Sequence, residues 1–215
     1  MSLCAIIPIK PLRHGKSRLS GVLSEEKREG LNRYLLTSTL NCLSNISKID
    51  QIIVVSYDPT VLTLARKFGA KTVLESRNTN INRALRKATM AAMAIHTTKT
   101  LIVPADLPFL TEEDILKVIN MAGDPPEIVI VSDRKSIGTN VLFINPIGAI
   151  KYDFGEWSFR KHVEQAERKK INVKVCHCDN LSFDLDWPED WEYLVTTKTE
   201  KSINLVDHLL QEVRI

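Results

Sequence analysis

Short apolar runs that alternate with helical segments constrain the fold of this chain more than any other feature. Unbroken apolar runs are typical of strands buried on both faces of a parallel sheet. The first five runs are LCAIIPI at 3–9, QIIVVS at 51–56, KTVL at 71–74, LIV at 101–103 and EIVIVS at 127–132. Their alternation with helices predicts a Rossmann-like three-layer α/β/α fold with a mostly parallel sheet.

The regular alternation of predicted strands and helices ends after Ser132. An extra strand is predicted at 141–144, antiparallel to the rest of the sheet, followed by a basic helix at 158–169 and a strand at 173–176. Proline at 188 then opens a short helix. With no internal repeat and a length of 215 residues, the chain is expected to form one domain spanning 1–215.

The C-terminal segment 202–215 is predicted to be a helical tail, with helix over 202–213. Its apolar stripe consists of Ile203, Val206, Leu209 and Leu210. This stripe favours packing on the body of the domain, and a homodimer contact is the alternative.

Composition excludes several classes of partner. The net charge of +3 is too small to indicate nucleic acid. No apolar run approaches the roughly 20 residues that span a bilayer, and no signal-peptide pattern opens the chain, so a cytoplasmic protein without a membrane partner is expected. Cys176, His177 and Cys178 alternate in direction if extended, which favours two strand thiols over a zinc site.

A basic loop, residues 10–19, follows the first strand. It carries Lys10, Arg13, Lys16 and Arg18 together with Ser17. A loop between a strand and a helix at the carboxyl edge of a sheet is a common phosphate site, although a solvated basic loop is the alternative. The glycine spacings of the P-loop and the dinucleotide fingerprint are absent, so cationic side chains would have to hold the phosphates.

An acidic residue, Asp106, stands directly after the fourth apolar run, between two prolines. Ligands bind at this edge of open α/β sheets. Capping of the next helix is the alternative explanation. However, the segment 111–114, TEED, already has the pattern of a capping box, which leaves Asp106 available for a ligand.

Two further acids, Asp184 and Asp186, are spaced to share one face of an extended segment. Capping of the helix that opens at Pro188 is the alternative for this pair. Separated carboxylates opposite a cationic loop suit Mg²⁺ bound to a polyphosphate, because Mg²⁺ takes a few carboxylates, phosphate oxygens and water. The sequence therefore predicts that Asp106, Asp184 and Asp186 meet opposite the basic loop.

Six segments, taken in order, resemble one family. They are IPIKPLRHGKSRL at 7–19, NINRAL at 80–85, PADLPFL at 104–110, GTNVLF at 138–143, FGEWSFRKH at 154–162 and DLDWPED at 184–190. The family is the 2-phospho-L-lactate guanylyltransferase family of deazaflavin-coenzyme biosynthesis, which also includes phosphoenolpyruvate guanylyltransferases. The likeness covers most of residues 3–195.

This resemblance implies a fold of the nucleotide-diphospho-sugar transferase type, similar to molybdenum-cofactor guanylyltransferases. It implies transfer of GMP from GTP to the phosphate of 2-phospho-L-lactate, with release of pyrophosphate, in coenzyme F420 biosynthesis. The alternatives are phosphoenolpyruvate as acceptor, a sugar-phosphate or pterin nucleotidyltransferase, and a nucleotide-binding regulator without catalysis.

The resemblance also implies roles for individual residues. The catalytic residues would be Lys16, Arg18 and Asp106, with Lys16 and its loop neighbours holding the GTP phosphates. Further GTP contacts would come from Lys10, Arg13, Ser17, Glu75 and Asn82. The phospho-acid would be contacted by Thr139, Gly155 and Ser158. Mg²⁺ would be held by Asp106 together with Asp184 or Asp186. Additional charge is expected from Arg160, Lys161 and His162, with a solvated helix face as the alternative for the last two.

Three positions depart from the pattern of the family. Many relatives have glycine where this chain has Asn80 and Ser136. Asn80 is expected to keep a left-handed turn, which Ser136 adopts less readily. Trp157 either narrows the acceptor site or points away. No histidine is expected to be catalytic, because the attacking phosphate oxygen is already ionised near pH 7.

Overall fold

Seven strands build one sheet within the described residues of the computed structural model, which are 2–77, 80–197 and 199–211, with side chains described as far as Leu209. In chain order the strands are β1 (Leu3–Pro8), β2 (Gln51–Ser56), β3 (Lys71–Leu74), β4 (Lys99–Ile102), β5 (Glu127–Ser132), β6 (Thr139–Asn145) and β7 (Asn172–Val175).

The sheet has the order β3-β2-β1-β4-β6-β5-β7. All pairs are parallel except those made by β6, which runs antiparallel to both β4 and β5. The predicted mostly parallel sheet with an antiparallel strand is therefore confirmed. The chain builds outward from β1 to β3 and then crosses to β4, so a crevice opens between the ends of β1 and β4.

Helices cover both faces of the sheet. They are α1 (Glu25–Ser44), α2 (Pro59–Lys67), α3 (Ile81–Ala94), α4 (Glu112–Met121), α5 (Ser158–Arg168), α6 (Asp179–Ser182), α7 (Pro188–Thr197) and α8 (Glu200–Gln211). Side chains of β1 alternate between the two layers. Ala5 and Ile7 pack with α1, α2 and α4, whereas Cys4 and Ile6 pack with α3 and α5. This alternation explains why the strand is apolar throughout.

Polar side chains cap the first turns of several helices. Ser24 and Asp58 accept hydrogen bonds from the first turns of α1 and α2, and Thr111 forms the predicted capping box with Asp114. Asn80 caps α3 with an extended backbone, φ −95°, so the expected left-handed turn there is wrong. Ser136, in contrast, does adopt the left-handed region, with φ 56°. The sequence also predicts that the helix corresponding to α3 starts at Asn78, a position that lies outside the described residues.

The C-terminal helix α8 packs on the body of the protein. Leu205 and Leu209 are buried beside Leu31 and Leu35 of α1, and Val206 is partly buried there. Ile203 is 47% exposed, so its assignment to the buried stripe is wrong, and the side chain of Leu210 lies outside the described part. Among the described helices, none is long and apolar enough to cross a membrane.

Candidate active site

Lys16 lies at the centre of a charged cluster at the carboxyl edge of the sheet. Its side chain is only 8% exposed, and its Nζ lies 3.0 Å from Oδ2 of Asp106 and 2.8 Å from Oδ1 of Asp186. Burial alone would lower the pKa of the Lys16 ammonium, but the two carboxylates outweigh burial and raise that pKa. The backbone of Lys16 is left-handed, with φ 54°, a conformation that non-glycine residues seldom adopt outside functional sites and turns.

Backbone hydrogen bonds hold the two acidic segments together. The N–H of Leu185 donates to the carbonyl of Asp106 at 3.0 Å, and the Leu185 side chain is fully buried. The buried carboxylate of Asp190 accepts from the N–H groups of Asp186 and Trp187, at 3.0 and 2.8 Å. The carboxylate of Asp186 is thereby left facing Lys16. These contacts bring Asp106, Asp184 and Asp186 together opposite the basic loop.

The buried part of the cluster contains three carboxylates, Asp106, Asp184 and Asp186, and one ammonium, Lys16. Burial, Asp106 and Asp186 together raise the pKa of Asp184 to about 6. Burial would also raise the pKa of Asp186, but Lys16, Arg18 and Lys10 lower it overall. Arg18 stands at the rim, with Nη1 3.3 Å from Oδ2 of Asp186 and its guanidinium 4.3 Å from the centre of the Trp187 ring.

These residues fit a divalent cation that is shared with a nucleotide. Asp106 and Asp186 each accept a hydrogen bond from the Lys16 ammonium, which occupies the position between these two oxygens, so a metal ion would bind beside it. Within the described residues, no three acidic, histidine or cysteine side chains form a complete metal site. Mg²⁺ does not require one, because it is commonly bound by one or two carboxylates plus phosphates and water.

A cavity of about 470 Å³ extends from this cluster toward the ends of β2 and β3. That volume is within the range of small-ligand sites. Five of the predicted site residues line it, namely Lys10, Lys16, Glu75, Asp106 and Asp186. Tyr57 and Arg77, which sequence analysis missed, also line the cavity. Tyr57 comes after β2 and Arg77 after β3, just as Asp106 comes after β4. Their positions after strands could have identified them as candidate site residues from the sequence.

Three residues predicted to contact GTP are placed elsewhere. The Arg13 side chain is 71% exposed and forms an ion pair with Glu29 at 2.8 Å. Ser17 is exposed at the start of a 3-10 turn. The amide of Asn82 is occupied on both sides by the backbone of Phe154, donating at 3.1 Å and accepting at 2.8 Å. Asn82 therefore fixes the segment that leads to Gly155.

Asn32 is a further residue that sequence analysis missed. Its Nδ2 donates to the carbonyl of Leu12 at 2.6 Å, which fixes the basic loop to α1. A Cβ at Gly15 would lie 2.5 Å from the same nitrogen, so only glycine fits there. The available indication in the sequence was an asparagine on the leucine-rich buried face of α1.

The residues predicted to bind the phospho-acid form a second group beside the first. Because β6 is antiparallel to β4, it begins where β4 ends, and this places Thr139 near the segment that carries Asp106. The N–H of Thr139 donates to Oγ of Ser158 at 2.9 Å. Gly155 has φ +127°, which side chains seldom allow. The neighbouring Trp157 is 52% exposed.

A buried histidine holds this second group in place. His162 is fully buried, and burial lowers its pKa to about 4, so its ring is neutral. Its Nε2 accepts from the N–H of Asp153 at 3.0 Å, which leaves the proton on Nδ1. Nδ1 therefore donates to Oγ1 of Thr139, 3.0 Å away. Both alternatives for His162, added charge and a solvated helix face, are wrong.

The hydroxyl groups of Thr139 and Ser158 are thus both acceptors inside the protein. Among the described residues neither hydroxyl proton has an acceptor. Two free O–H donors side by side suit a carboxylate or phosphate. The cations of α5 are directed elsewhere, since Arg160 pairs with Glu164 and exposed Lys161 lies 3.5 Å from Asp153.

The fold is shared with solved nucleotidyltransferases. A cytidylyltransferase from Leptospira borgpetersenii serovar Hardjo-bovis superposes with a TM-score of 0.62 over 99% of this chain and 95% of that one, at 13% identity. The sheet topology and the cavity at its switch point, together with the relatives below, define the molecule as a nucleotidyltransferase.

More narrowly, the chain belongs to the family described as guanylyl transferase CofC like, whose model matches residues 3–214. It is 38% identical over 190 residues to a phosphoenolpyruvate guanylyltransferase from Rubrobacter xylanophilus, covering 88% of this chain and 92% of the relative. It is 34% identical over 185 residues to a 2-phospho-L-lactate guanylyltransferase from Methanobrevibacter smithii, covering 86% and 80%.

Proposed function

We propose that this enzyme transfers GMP from GTP to the phosphate of a small phospho-acid and releases pyrophosphate. The observation that carries the proposal is the convergence of Asp106 and Asp186 on buried Lys16, with Asp184 beside the two carboxylates, next to a nucleotide-sized cavity. The names of the relatives supply the nucleotide and the class of acceptor.

The chemistry follows from charge and position. An oxygen of the acceptor phosphate forms a bond to the α-phosphorus of GTP, and the bond to the β-phosphate oxygen breaks. No side chain has to remove a proton, because the second pKa of a phosphate is about 6 and the nucleophile is ionised at neutral pH. Lys16 offsets negative charge on the transferring group, and Lys10 and Arg18 attract the phosphates at the rim.

Asp106, together with Asp184 or Asp186, would hold Mg²⁺ along with phosphate oxygens and water. When bound, the ion would neutralise charge on the phosphates that gather at the attacked phosphorus. Lys16 lies between two of these carboxylates, so it keeps them close together before substrate arrives. Burial, followed by the negative charges of Asp106 and Asp186, raises the pKa of Asp184, and a bound cation would offset those charges.

We infer that the acceptor site consists of Thr139, Ser158 and Gly155. The free O–H donors of the two hydroxyls would bind the anionic groups of the phospho-acid, and Gly155 permits a close backbone approach. The proposed acceptor is 2-phospho-L-lactate, which places the reaction in coenzyme F420 biosynthesis. Phosphoenolpyruvate is the second candidate, because the relative from R. xylanophilus is named for it.

A panel of acceptors tests this proposal. The protein is incubated with Mg²⁺, GTP and either 2-phospho-L-lactate, phosphoenolpyruvate, 3-phosphoglycerate or a sugar 1-phosphate. Pyrophosphate release and the mass of the product are measured. We expect a guanylated phospho-acid and a turnover at least about tenfold above that of the sugar phosphate. Turnover with the sugar phosphate alone would reject the proposal, as would GTP binding without turnover of any acceptor.

A further inference from the structure

Glu75 has a buried oxygen without a hydrogen-bond partner at the far end of the cavity. It directly follows β3, and its N–H donates to the carbonyl of Ser56 at 3.0 Å, which fixes it beside the end of β2. Its side chain lines the cavity, yet Oε2 is shielded from solvent and has no hydrogen-bond partner among the described residues. A buried carboxylate oxygen without a hydrogen-bond partner is unfavourable. A ligand that donates a hydrogen bond to this oxygen would remove that cost.

The position of Glu75 matches that of a nucleotide base. In the order β3-β2-β1-β4, the end of β3 lies two strand spacings from β1, about 10 Å away. A nucleotide whose phosphates lie at Lys16 and Asp106 therefore extends its base over the ends of β2 and β3. Tyr57, after β2, lies between these two regions of the cavity wall.

The chemistry of a carboxylate distinguishes guanine from the other bases. A carboxylate only accepts hydrogen bonds, and two adjacent donors satisfy both of its oxygens. Guanine presents N1–H and the N2 amino group side by side on its Watson–Crick edge. Adenine and cytosine each place a ring-nitrogen acceptor next to their amino group, and uracil flanks its single N–H with two carbonyls. These bases would bring an acceptor against the carboxylate.

We propose that Glu75 selects guanine, with its carboxylate accepting hydrogen bonds from N1–H and the N2 amino group of the base. This inference rests on the proposed guanylyl transfer and adds the residue that distinguishes guanine from the other bases. For both oxygens to meet the base, the Glu75 side chain has to rotate so that Oε2 also faces the cavity. The exposed Lys87, whose Nζ donates to the carbonyl of Leu74 at 2.6 Å, adds positive charge near the Glu75 carboxylate.

The test compares GTP, ITP and ATP in the wild-type protein and in Glu75→Gln. ITP lacks only the N2 amino group of GTP. Binding is measured by calorimetry with Mg²⁺ and no acceptor, and kcat/KM with the best phospho-acid of the panel. The wild-type protein should favour GTP over ITP by about 10- to 100-fold, the contribution of one hydrogen bond to a charged group. ATP should be weaker than GTP by about 10³-fold or more.

In Glu75→Gln, an NH₂ group takes the place of one carboxylate oxygen. A hydrogen-bond donor then faces a donor of guanine. The GTP-to-ITP ratio should therefore fall to about 1, mainly through a loss of about 10²-fold for GTP. Glu75→Asp keeps the charge on a shorter side chain and should retain a preference for GTP over ATP with weaker binding. Glu113→Gln, on the exposed face of α4, is the matched control and should leave all ratios unchanged.

The failures of the two proposals are distinguishable. If the wild-type protein does not prefer GTP to ATP, guanylyl transfer and the role of Glu75 are both rejected. If the wild-type protein prefers GTP, but Glu75→Gln keeps the wild-type GTP-to-ITP ratio, only the role of Glu75 is overturned. Should Glu75→Gln not fold, Glu75→Asp decides: a GTP affinity and a GTP-to-ITP ratio both unchanged from the wild type in that folded variant would overturn the role of Glu75.

Discussion

Replacing Asp106 by asparagine is expected to lower kcat/KM for guanylyl transfer by about 10²-fold or more. The change removes one negative charge from the cation site and weakens one of the two ion pairs of Lys16. The asparagine oxygen can still accept from Lys16 Nζ, which now lies 3.0 Å from Oδ2 of Asp106, so the fold should be kept. Turnover is measured by pyrophosphate release across a Mg²⁺ titration, and the half-saturating Mg²⁺ concentration should rise.

Two controls separate this effect from general damage. Asp124→Asn, in an exposed turn before β5, removes the same charge far from the cluster and should leave turnover unchanged. The midpoint of thermal unfolding of Asp106→Asn should stay within a few degrees of the wild-type value. A folded Asp106→Asn variant with wild-type turnover would show that the acidic cluster is not the reaction centre.

The convergence of the acidic residues was predictable from sequence because topology determines it. Parallel strands end at one edge of a sheet, so Asp106 and the basic loop had to lie near each other once the strands were recognised. The topology alone did not place Asp184 and Asp186 at that edge, because no strand leads directly into them. The bond from the Leu185 N–H to the Asp106 carbonyl makes this connection, and a backbone contact of this kind leaves no mark in the sequence.

The sequence was less informative about where side chains point. Arg13 belongs to the same basic loop as Lys16, yet Glu29 of α1 draws it to the surface. Similarly, α8 begins at Glu200, and Leu205 rather than Ile203 faces the core. In both cases the predicted element is correct, but contacts with residues distant in sequence determine which way the side chains point.

His162 was misjudged for the same reason. Its neighbours Arg160 and Lys161 indicate a basic, solvated helix, and they are indeed exposed. The partners of His162 are the N–H of Asp153 and the hydroxyl of Thr139, which lies 23 residues away. Those contacts, together with complete burial, convert the residue from a surface charge into a neutral positioning group.

His162→Asn should remove a large part of the acid sensitivity of the fold. The pKa of His162 falls from 6.5 in the unfolded chain to about 4 in the folded protein. Protonation therefore favours the unfolded chain. The contribution is fully present above about pH 6.5 and is lost as the pH falls toward 4. The wild-type protein should lose about 3 kcal/mol of unfolding free energy through this residue over that range, a loss that the variant lacks.

Urea unfolding of both proteins at several values between pH 7 and pH 4 measures the difference. At pH 7 the variant should be less stable by about 1–3 kcal/mol, because the shorter asparagine leaves the N–H of Asp153 without its acceptor. The two stability curves should converge as the pH falls, since only the wild-type protein then has to bury a protonated ring. The exposed His96, replaced by asparagine as the matched control, should give a curve parallel to the wild type. Parallel curves for His162→Asn and wild type would contradict the assignment of a neutral, buried ring that donates to Thr139.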